Sequence, residues 1–525
     1  MDVFFQPNRD LVNLLGGPQK KQDGINYRFT HFLIEDTWND GRKILYNTFT
    51  KVGIVVNGEE YDLITSLGEA VCTEYAIENY LLVPEDFDEA EKIIEMRERN
   101  RVKNSDFLAK ISEFTILPTT DCNARCHYCF ENGHKITVMS IEMAEKVADY
   151  IIECSKDFPK DTRMTLRWFG GEPLYNMKAI DVICDKLTEN GINFKSTIIS
   201  NGYLFTEDVV NIAVEKWHMN HAQITLDGSN EVYKKTKNYI YNDKDPLETV
   251  MKNMETMVKH GFTISVRMNV DVFNGDDLKI LVKKLFDRFG VNGKVSAYCH
   301  PVFETGFDDE TKRTPKDRKT VYEKTEALEN YMIELGQRPT MRSLSKTVRN
   351  HHCMVDGGRA ILILPDGKLG LCEHYTDCEY FGELGQPREE WDWEEIDSLK
   401  ELHLLEPCKT CPYFPDCMRL TKCLDEYLCD DYVVEWRLRE LRREVMEAVR
   451  VFYEKEKSGQ CGCGNNSKPR FDVYAGKKEF NNLVRFVLYI DKKITRIKDR
   501  YGIDFSDLDD EYNEDCEKAT KDINN

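Results

Sequence analysis

The sequence lacks a long apolar run. No stretch approaches the roughly eighteen residues that cross a bilayer, so no membrane span is expected. The opening segment, MDVFFQPNRDLVNLL, has no basic start followed by an apolar core, so no secretory signal is expected there. Positive charge is also scarce: 72 Lys and Arg face 93 Asp and Glu, for a net charge of −21. A non-specific nucleic-acid binder needs a basic face, so that class is excluded and a cytoplasmic protein is expected. Repeats of the solenoid kind are missing too. What remains is an ordinary globular balance, 41% hydrophobic and 31% charged. At 525 residues the chain exceeds one core and implies roughly two to four domains.

Cysteine is the abundant exception, with 18 in the chain. A disulfide framework belongs to small secreted chains, so metal ligation is the better reading of a chain this large. Spacing sharpens it. Cys122, Cys126 and Cys129 form one tight group, and a second array lies between Cys353 and Cys429.

Residues 1–24 read as loose. Residues 25–110 read as short strands (YRFTHFLIED, KILYNTF, KVGIVVNG) followed by a charged helix, EDFDEAEKIIEMRERN. From 111 to 305 the pattern becomes strand–helix alternation. The strands are FTILPTT (114–120), MTLRWFG (164–170), FKSTIIS (194–200), AQITLDG (222–228), TISVRMNVD (263–271) and KVSAYCHPVF (294–303). Six such units predict a partial α/β barrel with a parallel sheet, whose chemistry gathers after the C-terminal strand ends. A polar helical connector (306–350), a cysteine-rich region (351–430) and a charged helical C-terminal region (431–525) complete the expected division.

Cys122-x3-Cys126-x2-Cys129 follows the first barrel strand directly. Three thiolates on a short loop can hold three irons of a cubane, leaving the fourth iron open. Spacing alone also admits a zinc site, with His127 inside the loop, or buried free thiols. The motif, with Tyr128 before its third cysteine, resembles the signature of the radical S-adenosylmethionine (SAM) superfamily. The resemblance implies a partial (β/α)6 barrel of the radical SAM type. It also implies a 4Fe-4S cluster on Cys122, Cys126 and Cys129, and SAM chelated at the open iron. An electron from that cluster would split SAM into methionine and a 5′-deoxyadenosyl radical. Gly170, Gly171 and Glu172, after the second strand, match the family stretch that contacts the SAM methionyl amino group. Ser200 and Asn201, after the third, match its polar contact to the SAM ribose or carboxylate. Arg267 on the fifth strand has a SAM carboxylate or a structural salt bridge as its alternatives. Asp227 reads as a turn residue or a wall of the substrate cavity, with the turn favoured. Where related sequences often carry His and Arg, this chain has Tyr233 and Lys237, and Lys237 is given no role.

In the second array, Cys353-x13-Gly367-x4-Cys372 precedes Cys408-x2-Cys411-x5-Cys417-x5-Cys423 and Cys429. PDGKLGLC reads as a hairpin that delivers one ligand, and EPCKTCPYFPDC as a proline-stiffened loop. The pattern resembles the SPASM extension of radical SAM enzymes, with five residues between Cys417 and Cys423 where the family has three. It implies two auxiliary 4Fe-4S clusters, one on Cys353, Cys372 and Cys423, the other on Cys408, Cys411, Cys417 and Cys429. Cys378 is a candidate fourth ligand of the first; otherwise one iron there stays open for a substrate thiolate. Cys461 and Cys463 read as a ligand pair, a redox pair or neither. Cys299 and His300 lie where substrate is expected. Cys72, Cys154, Cys184 and Cys516 read as ordinary thiols.

The SPASM resemblance implies a peptide or protein substrate, and the small α+β N-terminal domain (1–110) resembles winged-helix modules that hold leader peptides. The resemblance therefore implies a maturase of ribosomally made peptides that installs a thioether or carbon-based cross-link. Its partners would be a precursor peptide with a leader and a reductant such as flavodoxin or ferredoxin. The alternatives are a sulfatase-maturase-type formylglycine-forming enzyme and a non-enzymatic iron-sulfur electron carrier. No acid or base catalyst is assigned.

Overall fold

The chain opens with β1 (Asp2–Phe5), α1 (Arg9–Leu14), β2 (Tyr27–Phe29), β3 (Leu33–Thr37), β4 (Lys43–Asn47) and β5 (Gly53–Val56). Then come α2 (Gly58–Thr65), α3 (Val71–Glu78), β6 (Leu82–Pro84) and α4 (Glu89–Lys103). This is a computed structural model describing residues 1–103, 108, 110–129, 131, 135–302, 315–338, 344, 353–375, 380–401, 404–417, 420–423, 429 and 431–457. Cys378, Cys461, Cys463 and Cys516 lie outside the described residues.

Residues 1–24 are less loose than their composition implied. β1 pairs antiparallel with β5, and Asn8 caps α1 by accepting from the amides of Asp10 and Leu11. Burial of Leu11 and Val12 fixes that helix. YRFTHFLIED, read as one strand, is two. β2 pairs with β6, whereas β3 forms an edge of a four-stranded antiparallel sheet ordered β1-β5-β4-β3. The break falls at Thr30–His31, where the buried carboxylate of Glu89 accepts from Arg28, the Thr30 hydroxyl and the His31 amide. A charge that deep holds its donors in place and turns the chain between sheets.

The barrel follows: β7 (Glu113–Ile116), α5 (Ile141–Ser155), β8 (Met164–Trp168), α6 (Met177–Glu189), β9 (Phe194–Ser200) and α7 (Glu207–Glu215). It continues with β10 (Met219–Thr225), α8 (Asn230–Lys237), α9 (Pro246–Lys259), β11 (Thr263–Val270), α10 (Leu278–Phe289), β12 (Val295–Pro301) and α11 (Pro315–Glu334). All six expected strands are present and pair in parallel from β7 to β12. Helices start where capping chemistry says they should: Ser140 accepts from Met143 N ahead of α5, and Asp245 from Glu248 N ahead of α9, with Pro246 next. Burial alternates along the strands. Phe194, Ser196 and Ile198 are buried, whereas Lys195 is exposed and Thr197 half-buried. The half-buried set continues across the register as Thr225, Arg267 and Tyr298, so that face is polar.

The barrel sheet extends beyond its six parallel strands. β13 (Ala360–Ile363) pairs in parallel with β7, then β14 (Lys368–Gly370) and β15 (Tyr380–Glu383) add antiparallel, making one nine-stranded sheet. The PDGK turn joins β13 and β14 and delivers Cys372 beyond them. α12 (Trp393–Leu399) and α13 (Asp431–Lys457) complete the described chain. Residues Met1–Phe452 form one unit and Tyr453–Asn525 a second, described only in the last turns of α13. Among the described residues no helix is long and apolar enough to cross a membrane.

α11 and α13 meet along a charged seam. Arg439 Nε pairs with Glu326 at 3.2 Å, and Arg443 with Glu329 at 3.0 Å. Glu440 lies in the same seam. Burial, then Glu329 and Glu444, push its carboxyl up to about 8 against the restraint of Arg443 and Arg437. A carboxyl whose pKa is raised on folding favours the native state at low pH and loses that advantage as pH rises, here from about 4.5 through about 8. Glu440→Gln is therefore expected to stabilise the protein by roughly 1–3 kcal/mol at about pH 9 and little at about pH 5. Paired thermal melts at the two pH values check it.

Candidate cluster and SAM site

The cysteine loop leaves β7 at its C-terminal end and is held from several sides. Asn123 O accepts from Ile240 N at 2.9 Å, and Asn123 Oδ1 from Asn201 Nδ2 at 2.7 Å. Arg125 N donates to Lys237 O at 2.9 Å, and His127 Nε2 lies 3.3 Å from Asp271. Beneath the loop, Tyr128 donates to Asp227 Oδ2 at 2.5 Å. Lys237 Nζ meets that same carboxylate at 2.6 Å, Tyr128 Oη at 3.0 Å and Thr225 Oγ1 at 2.8 Å. Asp227 and Lys237 are both buried. Asp227 is thus more than a turn residue, and Lys237 anchors the loop from the end of α8. Burial alone would lower the lysine's pKa, but Asp227 and Tyr128 raise it well above its ordinary value.

Removing one partner of a buried pair strands the other charge, at about 3–5 kcal/mol. Lys237→Met is expected to lower the melting temperature and iron loading together. Asp227→Asn/Lys237→Met should recover part of both, because no lone buried charge remains. Melting curves and iron assays of the two variants check this.

The Gly170–Glu172 turn follows β8 and packs on the same loop. Gly170 lies at φ +123°, and a Cβ there would stand 2.2 Å from Thr119 O. At Gly171 a Cβ would stand 2.3 Å from Asp121 O. The two glycines let one backbone touch another. Glu172 N donates to Asp121 O at 2.9 Å. The fully buried Glu172 carboxylate accepts from Ser200 Oγ at 2.9 and 3.0 Å, Asn201 N at 2.9 Å and Leu174 N at 3.2 Å. Burial raises its pKa to about 7 despite these donors. Glu172, Ser200 and Asn201 therefore form one hydrogen-bonded unit that reaches the loop through Asn123. Arg267 stands apart on the half-buried face of β11, its Nε donating to Asn269 Oδ1 at 2.9 Å. Among the described residues it has no carboxylate partner in ion-pair contact, so the structural salt bridge is not found.

The three loop thiols are mutual neighbours. Cys122 is pushed up to about 12 by burial and then Glu172, with Cys126 and Cys129 adding to it. Cys129 is raised to about 12, by burial first. Cys126 is raised by burial and restrained by Lys237. Cys122 Sγ already accepts from Ala124 N at 3.4 Å. Among the described residues no three His, Cys, Asp or Glu side chains are grouped as ligands of one metal ion. A cubane asks for something different, three thiols on three separate irons.

Residues 116–285 match the model of the radical SAM superfamily. The chain carries a radical SAM domain. Two curated proteins are similar to part of this chain. Protein MJ0907 of Methanocaldococcus jannaschii is 24% identical over 259 residues, 48% of this chain and 82% of that protein. The radical SAM cyclopropyl synthase TigE of Paramaledivibacter caminithermalis is 23% identical over 257 residues, 45% of this chain and only 50% of TigE. Among solved structures, native anSMEcpe with bound AdoMet superposes with a TM-score of 0.51 at 16% identity, over 65% of this chain and 99% of that one. That likeness concerns the fold.

A radical SAM domain works with SAM and a 4Fe-4S cluster, and the residues present fit that cluster. Protonated thiols at such raised pKa values are poor ligands until iron displaces the proton, which is how burial and metal binding couple. Three of them on one pinned loop, with a buried ammonium beneath Cys126, suit an anionic cluster.

The second array separates into two neighbourhoods. Cys353, Cys372 and Cys423 pack against the barrel core; burial raises the thiols of Cys353 and Cys372, with Cys423 adding to both and Cys353 to Cys372. Cys408 and Cys411 pack against the N-terminal core, and Cys411 feels Cys417, Cys408 and Cys429. Cys299 lies on the helix-covered face of β12, against the barrel core, near Glu329 and Glu440. It is a half-buried thiol facing away from the polar side of the sheet. Cys72, Cys154 and Cys184 are buried as expected. The ties made by Lys237, Asp227 and Tyr128 escaped the sequence reading; a lysine two turns after an LDG turn was their only trace.

Proposed function

We propose that the chain is a radical SAM peptide maturase that abstracts a hydrogen atom from a ribosomally made peptide and installs a cross-link. In this reading Cys122, Cys126 and Cys129 hold the SAM-cleaving cluster. Gly170, Gly171, Glu172, Ser200, Asn201 and Arg267 shape the SAM pocket. Cys353, Cys372 and Cys423 serve one auxiliary cluster, and Cys408, Cys411, Cys417 and Cys429 another. When bound, the first cluster supplies the electron that splits SAM, and the resulting radical takes the substrate hydrogen.

The single observation that carries the reading is the pinned three-thiol loop at the carboxyl ends of the parallel strands. The protein's part is positional. Glu172 orients Ser200 and Asn201, Asn201 reaches the loop through Asn123, and Lys237 counters charge under Cys126. Arg267 keeps guanidinium donors available for a SAM carboxylate. The similarity to TigE, a radical SAM cyclopropyl synthase, favours a bond-forming reaction. The two edges of the N-terminal sheet, β1 and β3, suit strand addition by a leader segment. Flavodoxin or ferredoxin is the proposed reductant and the cytoplasm the proposed compartment.

Anaerobic co-expression with a short cysteine-containing peptide encoded beside the gene tests it. Loss of two hydrogens per modification, with linked fragments in tandem spectra, is expected. An unchanged peptide mass would oppose it, and a cysteine converted to formylglycine would establish the sulfatase-maturase alternative.

A further inference from the structure

We infer that Lys51 and Arg97, from the N-terminal region, are positioning residues of the second cysteine array, and that Arg97 sets the reduction potential of the cluster proposed on Cys408, Cys411, Cys417 and Cys429. The inference rests on that cluster reading and adds a role for the N-terminal residues beyond peptide capture.

The CKTCPYFPDC loop is gripped from the far end of the chain. Thr48 Oγ1 donates to Pro412 O at 2.6 Å. Lys51 Nζ pairs with Asp416 Oδ2 at 2.6 Å, both side chains being less than one-tenth exposed. Phe414 inserts among Leu11, Val12, Phe32 and Phe49 of the N-terminal core, with Cys408 and Cys411 packed against that cluster. Arg97 on α4 lies 4.5 Å over the Phe414 ring. Its Nη2 donates to the carbonyls of Phe414 at 2.7 Å, Cys417 at 2.9 Å and Pro415 at 3.4 Å.

Charge accounting distinguishes the two cations. Lys51 is neutralised by Asp416. Arg97 is buried, its Nε has no hydrogen-bond partner, and among the described residues no carboxylate lies in ion-pair contact with it. A buried guanidinium without a counter-ion is costly. The groups that face it are the Cys417 and Cys408 thiols and Asp416, whose charge Lys51 already takes. A thiolate-ligated cluster in that loop would supply the missing negative charge. Arg437 approaches from α13, its Nη1 4.0 Å from Cys417 Sγ. Net charge around an iron-sulfur cluster is one of the levers on its potential, and a nearby cation favours the reduced, more negative state. Arg97 therefore makes this cluster a better electron acceptor.

The test uses the full chain, anaerobically reconstituted with iron and sulfide. Midpoint potentials are read by EPR-monitored redox titration, with C408A/C411A identifying the signal. Arg97→Gln is expected to keep the iron content and shift that signal to a more negative potential. Arg97→Lys should restore most of the shift. Full iron with an unchanged midpoint in Arg97→Gln would overturn the inference. If Arg97→Gln instead loses only this cluster and still forms 5′-deoxyadenosine, the positioning role stands; general loss of iron and of folding, with Lys51→Met unperturbed, would overturn it. Equal iron in wild type and C408A/C411A would sink the cluster reading itself.

Discussion

Cys126→Ala is expected to lower iron by about four atoms per chain and to reduce 5′-deoxyadenosine formation to background. Cys126 is the middle ligand of the proposed set, and the Lys237 ammonium restrains its pKa against burial. Two thiols cannot hold a cubane whose remaining iron must be left for SAM. Cys122→Ala and Cys129→Ala should behave alike, because the three act as a unit. Cys154→Ala is the control. That thiol is fully buried in the barrel core, so its loss costs about 1 kcal/mol of packing and leaves iron unchanged. Iron assay and product chromatography on the four variants read the result.

The second large effect is predicted at a residue with no side chain. Gly171→Ala places a Cβ 2.3 Å from Asp121 O and 2.6 Å from Thr120 O, both backbone atoms. Neither can move without displacing Cys122, the next residue along. Overpacking of this kind costs about 1–3 kcal/mol, and here the strain falls directly on a proposed cluster ligand. Gly171→Ala is expected to lose most iron loading and SAM cleavage. Gly191 makes the contrast. Its φ is +68°, and a methyl added there would have nothing within 4 Å, so Gly191→Ala is expected to cost about 1–2 kcal/mol of backbone strain and to leave iron content unchanged. Iron content against melting temperature separates the two.

Much of this was legible in the sequence, for local reasons. The six strands announce themselves by period and by the helices between them. The cysteine loop is one contiguous segment, and the Gly170–Glu172 turn sits where the second strand must end. What escaped was long-range. Lys237 carries no role in the sequence until the fold brings Tyr128 and Asp227 to it. Lys51 and Arg97 gain their partners only when the chain returns more than three hundred residues later. β1 was missed because a four-residue strand has no period to detect, and it forms only against β5. Cys299 was placed near substrate by its position at a strand end, but alternation along β12 turns it to the helix side. The joining of β13 to β7 in one sheet likewise depends on a parallel pairing that no turn specifies.

The central claim is hydrogen abstraction from a peptide by a SAM-derived radical at the Cys122–Cys129 loop. Incubating the reconstituted enzyme anaerobically with SAM, dithionite and uniformly deuterated precursor peptide tests it most directly, read by mass spectrometry of the nucleoside product. One deuterium in 5′-deoxyadenosine, matched by a modified peptide, is the predicted result. Unlabelled 5′-deoxyadenosine, or none, would contradict the account.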